Sequence, residues 1–172
     1  MSLNESDPIA VLNGFATASA EAIREIVSEI PAERFRQAVQ MIGNARSIAV
    51  AGELGASAVA ACLGDGLSQI GYRCRQVQAL EGGSGRLVSE LNPGDLLIAI
   101  GVGGEPGPLT DVVAIARSRG VGVLGIGFPP ERGAAGEADL ALTIRAAGPG
   151  SMQPLAPHFV LAQSLLLALS ES

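Results

Sequence analysis

Aromatic residues and cysteines are scarce in this sequence. Its 172 residues include four Phe, one Tyr and no Trp, so the core has to be built from aliphatic side chains and alanine. The two cysteines, Cys62 and Cys74, form neither a C-x-x-C pair nor a metal-ligand spacing. We therefore interpret both as free thiols of a reducing compartment, and we expect no metal site.

An excess of positive charge and long apolar runs are missing as well. The net charge of −6 argues against a nucleic-acid-binding protein, because nucleic acids select basic surfaces. The longest uncharged apolar stretch near the C-terminus, residues 159–169, is shorter than the roughly 20 residues that a membrane span needs. The acidic start of the chain is also untypical of a secretory signal. We expect a soluble, cytoplasmic protein that binds neither nucleic acid nor membranes.

The chain does contain a regular alternation of short apolar runs with helical patterns. The apolar runs predict five strands, at residues 47–51, 72–79, 96–100, 121–126 and 140–144. Such alternation through short connections predicts a parallel sheet with helices on both faces, that is, a three-layer α/β/α sandwich. The commonest order for five strands is 2-1-3-4-5, as in flavodoxin-like and other Rossmann-like folds.

Two predicted helices precede the first strand and form an N-terminal helical arm. The arm covers residues 1–44 and is part of the same domain as the core, which covers residues 45–172. Its first helix begins at Pro8, after the capping residue Asp7, and is about 22 residues long. This helix could pack on its own domain or lie across a partner subunit. We favour the second arrangement, in a homodimer or tetramer, because the later helices suffice to cover the sheet.

Two glycine-rich turns mark the place where a ligand is expected. In the order 2-1-3-4-5, ligands bind beyond the carboxyl ends of strands one and three, where residues 52–57 and 101–110 lie. Each turn leads into a helix, whose free N–H groups and dipole attract an anion. The candidate ligand-binding residues are Gly52, Gly55, Ser57, Gly101, Gly103, Gly104 and Thr110. For Ser57 and Thr110, an ordinary role in helix capping is the alternative.

Nucleotide cofactors are not expected at these turns. Gly52 and Gly55 do not complete a G-x-G-x-x-G motif. The second strand does not end in a clear acidic residue that could hold a ribose, and the nearest candidate is Glu81. A Walker loop is missing too, because no Gly-Lys-Ser/Thr sequence occurs. We therefore expect a small phosphorylated ligand and no cofactor.

The order of these motifs resembles the SIS (sugar isomerase) domain over about residues 32–170. The resemblance is carried by SIAVAG at 47–52, IGY at 70–72, NPGDLLIAI at 92–100 and RSRGVGVLGI at 117–126, of which NPGDLLIAI is the most specific. The layout is closest to 6-phospho-3-hexuloisomerases, phosphoheptose isomerases and the effector-binding domains of RpiR-type regulators. The resemblance implies that the chain binds a phosphosugar or a related carbohydrate derivative.

The phosphate-binding motifs of this family are degenerate here. The first, Gly-x-Gly-x-Ser, matches only with one inserted residue and keeps Ser57. In the second, Ser-x-Ser-Gly-x-Thr, Gly101 and Gly103 replace both serines, Gly104 matches, and Thr110 matches only across an insertion. Each lost charge-assisted hydrogen bond weakens phosphate binding by roughly 1.5–3 kcal/mol, of which backbone N–H groups could recover a part.

Glu53 and Glu105 lie in the same two turns. A carboxylate about 6 Å from a phosphate charge costs on the order of 3 kcal/mol per unit charge at an effective dielectric constant near 20. We expect Glu53 to point away from the ligand, and we leave the direction of Glu105 open.

The resemblance also implies a glutamate and a histidine near the ligand, as the base and acid of aldose–ketose isomerisation. The single histidine, His158, begins the last predicted helix, where the helix dipole favours a neutral imidazole. A surface or interface histidine is the alternative. Ala162 stands where the family has a glutamate, so Glu81 is the remaining carboxylate candidate, with a solvated loop charge as its alternative.

Three functions are compatible with these residues. The first, which we favour, is a sensor or weakly catalytic module that binds a phosphosugar or a related sugar derivative. The second is an active phosphosugar isomerase of the hexuloisomerase or phosphoheptose isomerase type, with His158 and a glutamate as catalytic residues. The third is a diverged regulatory or oligomerisation domain without a sugar ligand. Whether the chain is an enzyme stays open at this point.

Overall fold

A computed structural model describes residues 7–53, 55–78, 88, 90–102, 107–127, 137–144 and 152–171. The strands form one parallel sheet in the order β2-β1-β3-β4-β5, and helices cover both of its faces. The strands are β1 (Ile48–Gly52), β2 (Cys74–Gln78), β3 (Leu96–Ile100), β4 (Gly122–Ile126) and β5 (Leu140–Leu142). The helices are α1 (Pro8–Glu29), α2 (Ala32–Gly43), α3 (Ala56–Gln69), α4 (Pro108–Ser118) and α5 (Ala156–Ser170). The predicted sandwich and strand order are confirmed, whereas the short helix-forming stretch before Leu91 lies mainly outside the described residues.

Strands β1 and β3, which are neighbours in the interior of the sheet, are buried over their whole length, as a parallel sheet covered on both faces requires. Side chains alternate between the faces along each strand. One face carries larger side chains, such as Val50 and Ile98, and packs with α2, α3 and α5. The other face carries smaller ones, such as Ala51 and Ala99, in a cluster with residues of α4.

The strands end in register, and this brings their following residues to one edge of the sheet. Gly52 pairs with Ile100, and Ile100 pairs with Ile126. We call this side the carboxyl edge and the side where the strands begin the amino edge. The next three backbone N–H groups continue the ladder: Glu53 donates to Ile100 (3.3 Å), Gly101 to Ile126 (3.1 Å) and Gly127 to Leu142 (2.9 Å).

The first helix begins where the sequence predicts. The carboxylate of Asp7 accepts a hydrogen bond from the N–H of Ile9 (3.0 Å), and Pro8 occupies the first helical position. The helix lies against α5 and buries Ala22, whereas Leu12 and Val27 are exposed. Helix α2 contacts β5 and α5. The arm therefore packs on the side of the core that carries α5.

Two further findings concern the described residues. No helix among them is both long and apolar enough to cross a membrane. Cys62 and Cys74 are free thiols, as expected from their spacing. Burial and the nearby carboxylate of Asp65 raise the pKa of the Cys74 thiol to about 11, so this side chain is uncharged at neutral pH.

Candidate functional site

The candidate site lies at the carboxyl edge, between β1 and β3. These strands are neighbours in the sheet, so the turns that follow them lie side by side. This is the point where the connections diverge to the two faces, which is where ligands bind in open α/β sheets. Of the residues predicted for the site, Gly103, Gly104 and Glu81 lie outside the described residues, as does Glu105.

The glycine at the end of β1 is explained by packing. A β-carbon on Gly52 would lie 2.5 Å from the carbonyl oxygen of Ala56 and 2.9 Å from the β-carbon of Ala60. Helix α3 therefore starts almost in contact with the strand, an approach that only glycine permits. A β-carbon on Gly55, by contrast, would touch only Leu155, at an ordinary 3.4 Å.

The two candidate hydroxyl groups lie in the first turns of α3 and α4. Ser57 is exposed at the second position of α3. Thr110 caps its own helix, because its side-chain oxygen accepts a hydrogen bond from the N–H of Gly107 (3.4 Å). The capping role proposed as the alternative for Thr110 is thus present, and the long bond leaves this hydroxyl weakly held.

Glu53 does not point away from the site, so that expectation is wrong. Only 7% of the residue is exposed, and its carboxylate lies against Gly107, where a β-carbon would be 2.8 Å from Oε2. Burial raises the pKa of this carboxyl group, and the backbone N–H of Leu109 partly opposes the shift. The physical reason for the orientation is the N-terminus of α4, which attracts a carboxylate.

His158 lies at the same edge, in the first turn of α5, and is 1% exposed. Its imidazole packs against Gly127, where a β-carbon would lie 2.6 Å from Nε2. Gly127 has a φ of +90°, a backbone conformation that also favours glycine. The alternative of a surface histidine is therefore wrong, and α5 delivers the ring into the interior.

Neither ring nitrogen of His158 has a hydrogen-bond partner among the described residues, and both are buried. Burial lowers the pKa of the imidazole; the backbone carbonyl groups of Gly101 and Pro154 face the ring and partly oppose this shift, without the geometry of full hydrogen bonds. The ring is therefore neutral at neutral pH, with one donor and one acceptor to offer. Buried polar groups of this kind are rarely left unsatisfied in proteins.

The edge thus combines a buried carboxylate, a buried neutral imidazole and the N-terminus of α4. Among the described residues, no group of three His, Cys, Asp or Glu side chains is arranged to hold a metal ion. The arrangement suits hydrogen bonds to the hydroxyl groups of a polar small molecule, and a neutral histidine could also accept a proton.

Sequence reasoning missed two features of this edge. One is the contact of Glu53 with α4, which no local pattern signals. The other is Gly127, which lies beside His158. A glycine directly after the fourth apolar run was the available signal, since a residue there reaches the same edge as the two glycine-rich turns.

Comparisons with known proteins identify the fold. No protein-family model matches the chain, and no curated protein matches its sequence. The sugar isomerase domain of an RpiR transcription factor from Sphaerobacter thermophilus superposes with a TM-score of 0.85 at 24% identity, covering 95% of this chain and 89% of that one.

Two ligand complexes are also similar in structure. A protein of E. coli CFT073 in complex with a sugar phosphate has a TM-score of 0.81 at 19% identity, covering 98% of this chain and 92% of that one. The Vibrio vulnificus NanR protein, complexed with ManNAc-6P, has a TM-score of 0.79 at 19% identity, covering 98% of this chain and 64% of that one. The chain therefore has the fold of sugar isomerase domains.

Proposed function

We propose that this protein binds a phosphosugar or a related carbohydrate derivative at the carboxyl edge and acts as a sensor of that ligand. The observation that carries the proposal is His158, which lies beside Gly101 and Gly127 and whose two buried ring nitrogens find no partner in the described part of the chain. A sugar hydroxyl group is a suitable partner for either nitrogen, because it both donates and accepts hydrogen bonds.

Two of the similar structures support the choice of ligand class, because each holds a sugar phosphate, which in the NanR protein is ManNAc-6P. One of the similar structures is described as a transcription factor, which supports a sensing role. The acidic composition of this chain does not predict a DNA-binding surface, so a partner protein would have to provide one.

A sensor is favoured over an enzyme because a second catalytic group is missing from α5. Ala162 is one turn after His158 on the same helix, and it is completely buried. The resemblance places a catalytic glutamate at this position, and alanine cannot transfer a proton. Catalysis would have to draw its carboxylate from elsewhere.

A dye-based thermal shift tests the proposal, since the chain has no Trp and one Tyr. The panel contains sugar phosphates, free sugars, sugar nucleotides and orthophosphate. A ligand at 100 times its Kd stabilises the folded state by about 2.7 kcal/mol, which raises the Tm by several degrees for a chain of this size. A selective shift with one sugar derivative, without product formation, is the expected result.

Ser57→Ala and Ser28→Ala form a matched pair for this experiment. Both serines are exposed on helices, but Ser28 is in α1, away from the carboxyl edge. We expect Ser57→Ala to weaken the ligand-induced shift and Ser28→Ala to leave it unchanged. Unchanged shifts in both variants, or no shift with any compound in the panel, would contradict the proposal and favour a domain without a sugar ligand.

An active phosphosugar isomerase is the second candidate. It is favoured by the buried, neutral imidazole of His158, which could serve as a base. In this case the wild-type protein interconverts an aldose phosphate and a ketose phosphate, and His158→Ala abolishes turnover while ligand binding persists. Turnover that survives in the variant would exclude this mechanism.

We also propose that two copies of the chain associate through α1. Its exposed apolar side chains include Ile9, Leu12 and Val27, of which Val27 is 84% exposed. A helix with this surface gains stability by covering it. Light scattering coupled to size-exclusion chromatography should give a dimer for the wild type and a monomer for Leu12→Glu, and a monomeric wild type would refute this arrangement.

A further inference from the structure

A charged side chain from the end of β1 reaches the helix that follows β3. The carboxylate of Glu53 lies at the start of α4, where Oε2 packs against the α-carbon of Gly107. The backbone N–H of Leu109, in the first turn of α4, interacts with the same carboxylate. Glu53 itself is held firmly, because its N–H donates to Ile100 (3.3 Å) and its carbonyl oxygen accepts from Ala56 (2.9 Å).

The start of α4 leaves this place open to an anion. Gly107 precedes the helix and has no capping side chain, and Pro108 follows it without an N–H group. The side chain of Thr110 turns back to the N–H of Gly107. Asp111 also lies in the first turn but is exposed, so Glu53 is the buried counter-charge of this helix.

Among the residues that the structure describes, no basic side chain forms an ion pair with the carboxylate of Glu53. The imidazole of His158 is neutral at neutral pH, because burial lowers its pKa. An anion that approaches the start of α4 therefore meets a carboxylate that no described cation compensates, in a poorly solvated place where repulsion between like charges is strong.

We propose that Glu53 is a specificity-determining residue, which competes with the phosphoryl group of a ligand for the N-terminus of α4. The inference rests on the proposed function, since it concerns the same ligand site. A second observation points to a ligand there: His158 is more than nine-tenths buried, has no hydrogen-bond partner among the described residues, and lies beside Gly101, the first residue of the turn that leads to α4.

The competition has a definite consequence for ligand choice. A helix N-terminus favours one anionic group, and two groups of like charge cannot share it without loss of affinity. A phosphorylated sugar therefore binds the wild-type protein only by displacing the carboxylate. A sugar derivative that presents a hydroxyl or ammonium group to Glu53 meets no such opposition, and the carboxylate can accept its hydrogen bond.

Isothermal titration of wild type, Glu53→Gln and Glu25→Gln with orthophosphate tests the proposal directly. Glu53→Gln removes the charge and keeps the shape of the side chain. Glu25→Gln makes the same change in net charge on the exposed face of α1. At about pH 7.5 and constant ionic strength, we expect Glu53→Gln to bind orthophosphate about tenfold or more tightly than the wild type, and Glu25→Gln to bind it as the wild type does.

The same three proteins are then titrated with fructose 6-phosphate and fructose. The affinity ratio of the phosphorylated to the free sugar should rise in Glu53→Gln and stay constant in Glu25→Gln. If Glu53→Gln does not fold, Glu53→Ala takes its place with the same expected result, because it also removes the negative charge from the start of α4.

The outcomes separate this inference from the proposed function. Equal orthophosphate affinity in the wild type and Glu53→Gln overturns the inference, even if the wild type binds a sugar derivative from the thermal-shift panel. Weaker binding in Glu53→Gln overturns it as well, because the carboxylate would then hold the ligand. If the panel gives no ligand while Glu53→Gln gains orthophosphate binding, the competition is supported and the proposed sensing function is contradicted.

Discussion

Asp95 at the amino edge of the sheet and Glu53 at the carboxyl edge are equally buried, each with 7% of its surface exposed. The carboxylate of Asp95 is fully paired: Arg46 binds Oδ1 at 3.0 Å, and the N–H of Asn92 donates to Oδ2 at 2.8 Å. The carboxylate of Glu53 has no ion pair with a described residue, and it lies against the backbone at the start of α4.

The contrast extends to the other polar groups of the two edges. At the amino edge, Arg75 forms an ion pair with Glu90 at 2.9 Å through Nη1, although its buried Nε has no partner among the described residues. At the carboxyl edge, both ring nitrogens of His158 lack partners among the described residues. The charged groups at the amino edge are thus paired, whereas His158 at the carboxyl edge has no ring nitrogen that is satisfied by a described residue. Unsatisfied groups cost stability, and this cost is typical of sites that have a ligand to satisfy them.

The largest expected effect comes from adding one methyl group at each edge. Gly127 at the carboxyl edge and Gly94 at the amino edge both have a φ near +90°, so alanine is strained by about 1–2 kcal/mol at either position. A β-carbon at Gly127 would also collide with His158, whereas one at Gly94 meets nothing within 4 Å. We expect Gly127→Ala to lower the free energy of unfolding by about 3 kcal/mol or more.

Urea denaturation of both variants measures this difference. Gly94→Ala serves as the control for backbone strain, so the excess loss in Gly127→Ala reports the close packing of the Gly101 carbonyl oxygen and the His158 imidazole against Gly127. Equal losses in the two variants would show that both groups can move aside, and the carboxyl edge would then be less constrained than its geometry indicates.

Removal of a carboxylate charge should cost more stability at the amino edge than at the carboxyl edge. Asp95→Asn weakens a buried ion pair and should cost about 1–2 kcal/mol. Glu53→Gln removes a charge whose burial is unfavourable, so its cost should be smaller or its effect stabilising. Glu33→Gln, which breaks an exposed pair with Arg36, is the control and should change stability by less than about 0.5 kcal/mol.

Chemical denaturation at neutral pH gives these three values. A loss in Glu53→Gln that matches the loss in Asp95→Asn would remove the distinction between the edges, because it would mean that the charge of Glu53 stabilises the fold as much as a paired carboxylate does.

The smallest effect concerns acid pH. The pKa of His158 is lowered in the folded state, so between this value and about 6.5 the unfolded chain binds a proton that the folded chain does not. The neutral His158 therefore causes no loss in the free energy of unfolding above about pH 6.5. Below this pH the free energy of unfolding decreases, by at most about 1.4 kcal/mol at pH 5.5. The raised pKa of Glu53 acts in the opposite direction, because its contribution is lost as the pH rises through the folded value.

His158→Gln isolates the histidine term, since the contribution of Glu53 is common to both proteins. As the pH falls below about 6.5, the free energy of unfolding of the wild type should decrease relative to that of the variant. The protein has a single histidine, so one imidazole NMR signal of tag-free protein reports the pKa directly. A pKa at or above 6.5 would contradict the assignment of a buried, neutral ring.

The strands could be predicted from the sequence because they depend on short-range patterns, and their order because five strands of a doubly wound sheet most often take the order 2-1-3-4-5. LLIAI at 96–100 is apolar throughout and bounded by turn residues, which is typical of a strand buried on both faces. The start of α1 at Asp7 and Pro8 depends equally on adjacent residues. Such local patterns predict the structure correctly because the local chain and the tertiary structure favour the same conformation.

Only the location of the candidate site could be predicted from the sequence. The sequence located the glycine-rich turns after β1 and β3, and the sheet brings them together. It could not show that Gly52 serves the packing of α3, or that Thr110 caps its own helix, because both facts depend on where a neighbouring backbone lies.

The sequence by itself determined an aliphatic core, five strands in the order 2-1-3-4-5 and two turns that leave the sheet at one edge. Only the tertiary structure decided that Glu53 reaches the start of α4 and that α5 buries His158 against Gly127. In each case the deciding partner is a helix end or a backbone from a distant part of the chain. The direction of a side chain depends on the electrostatic field and the free volume that such partners create. The residues adjacent to it in the sequence determine neither.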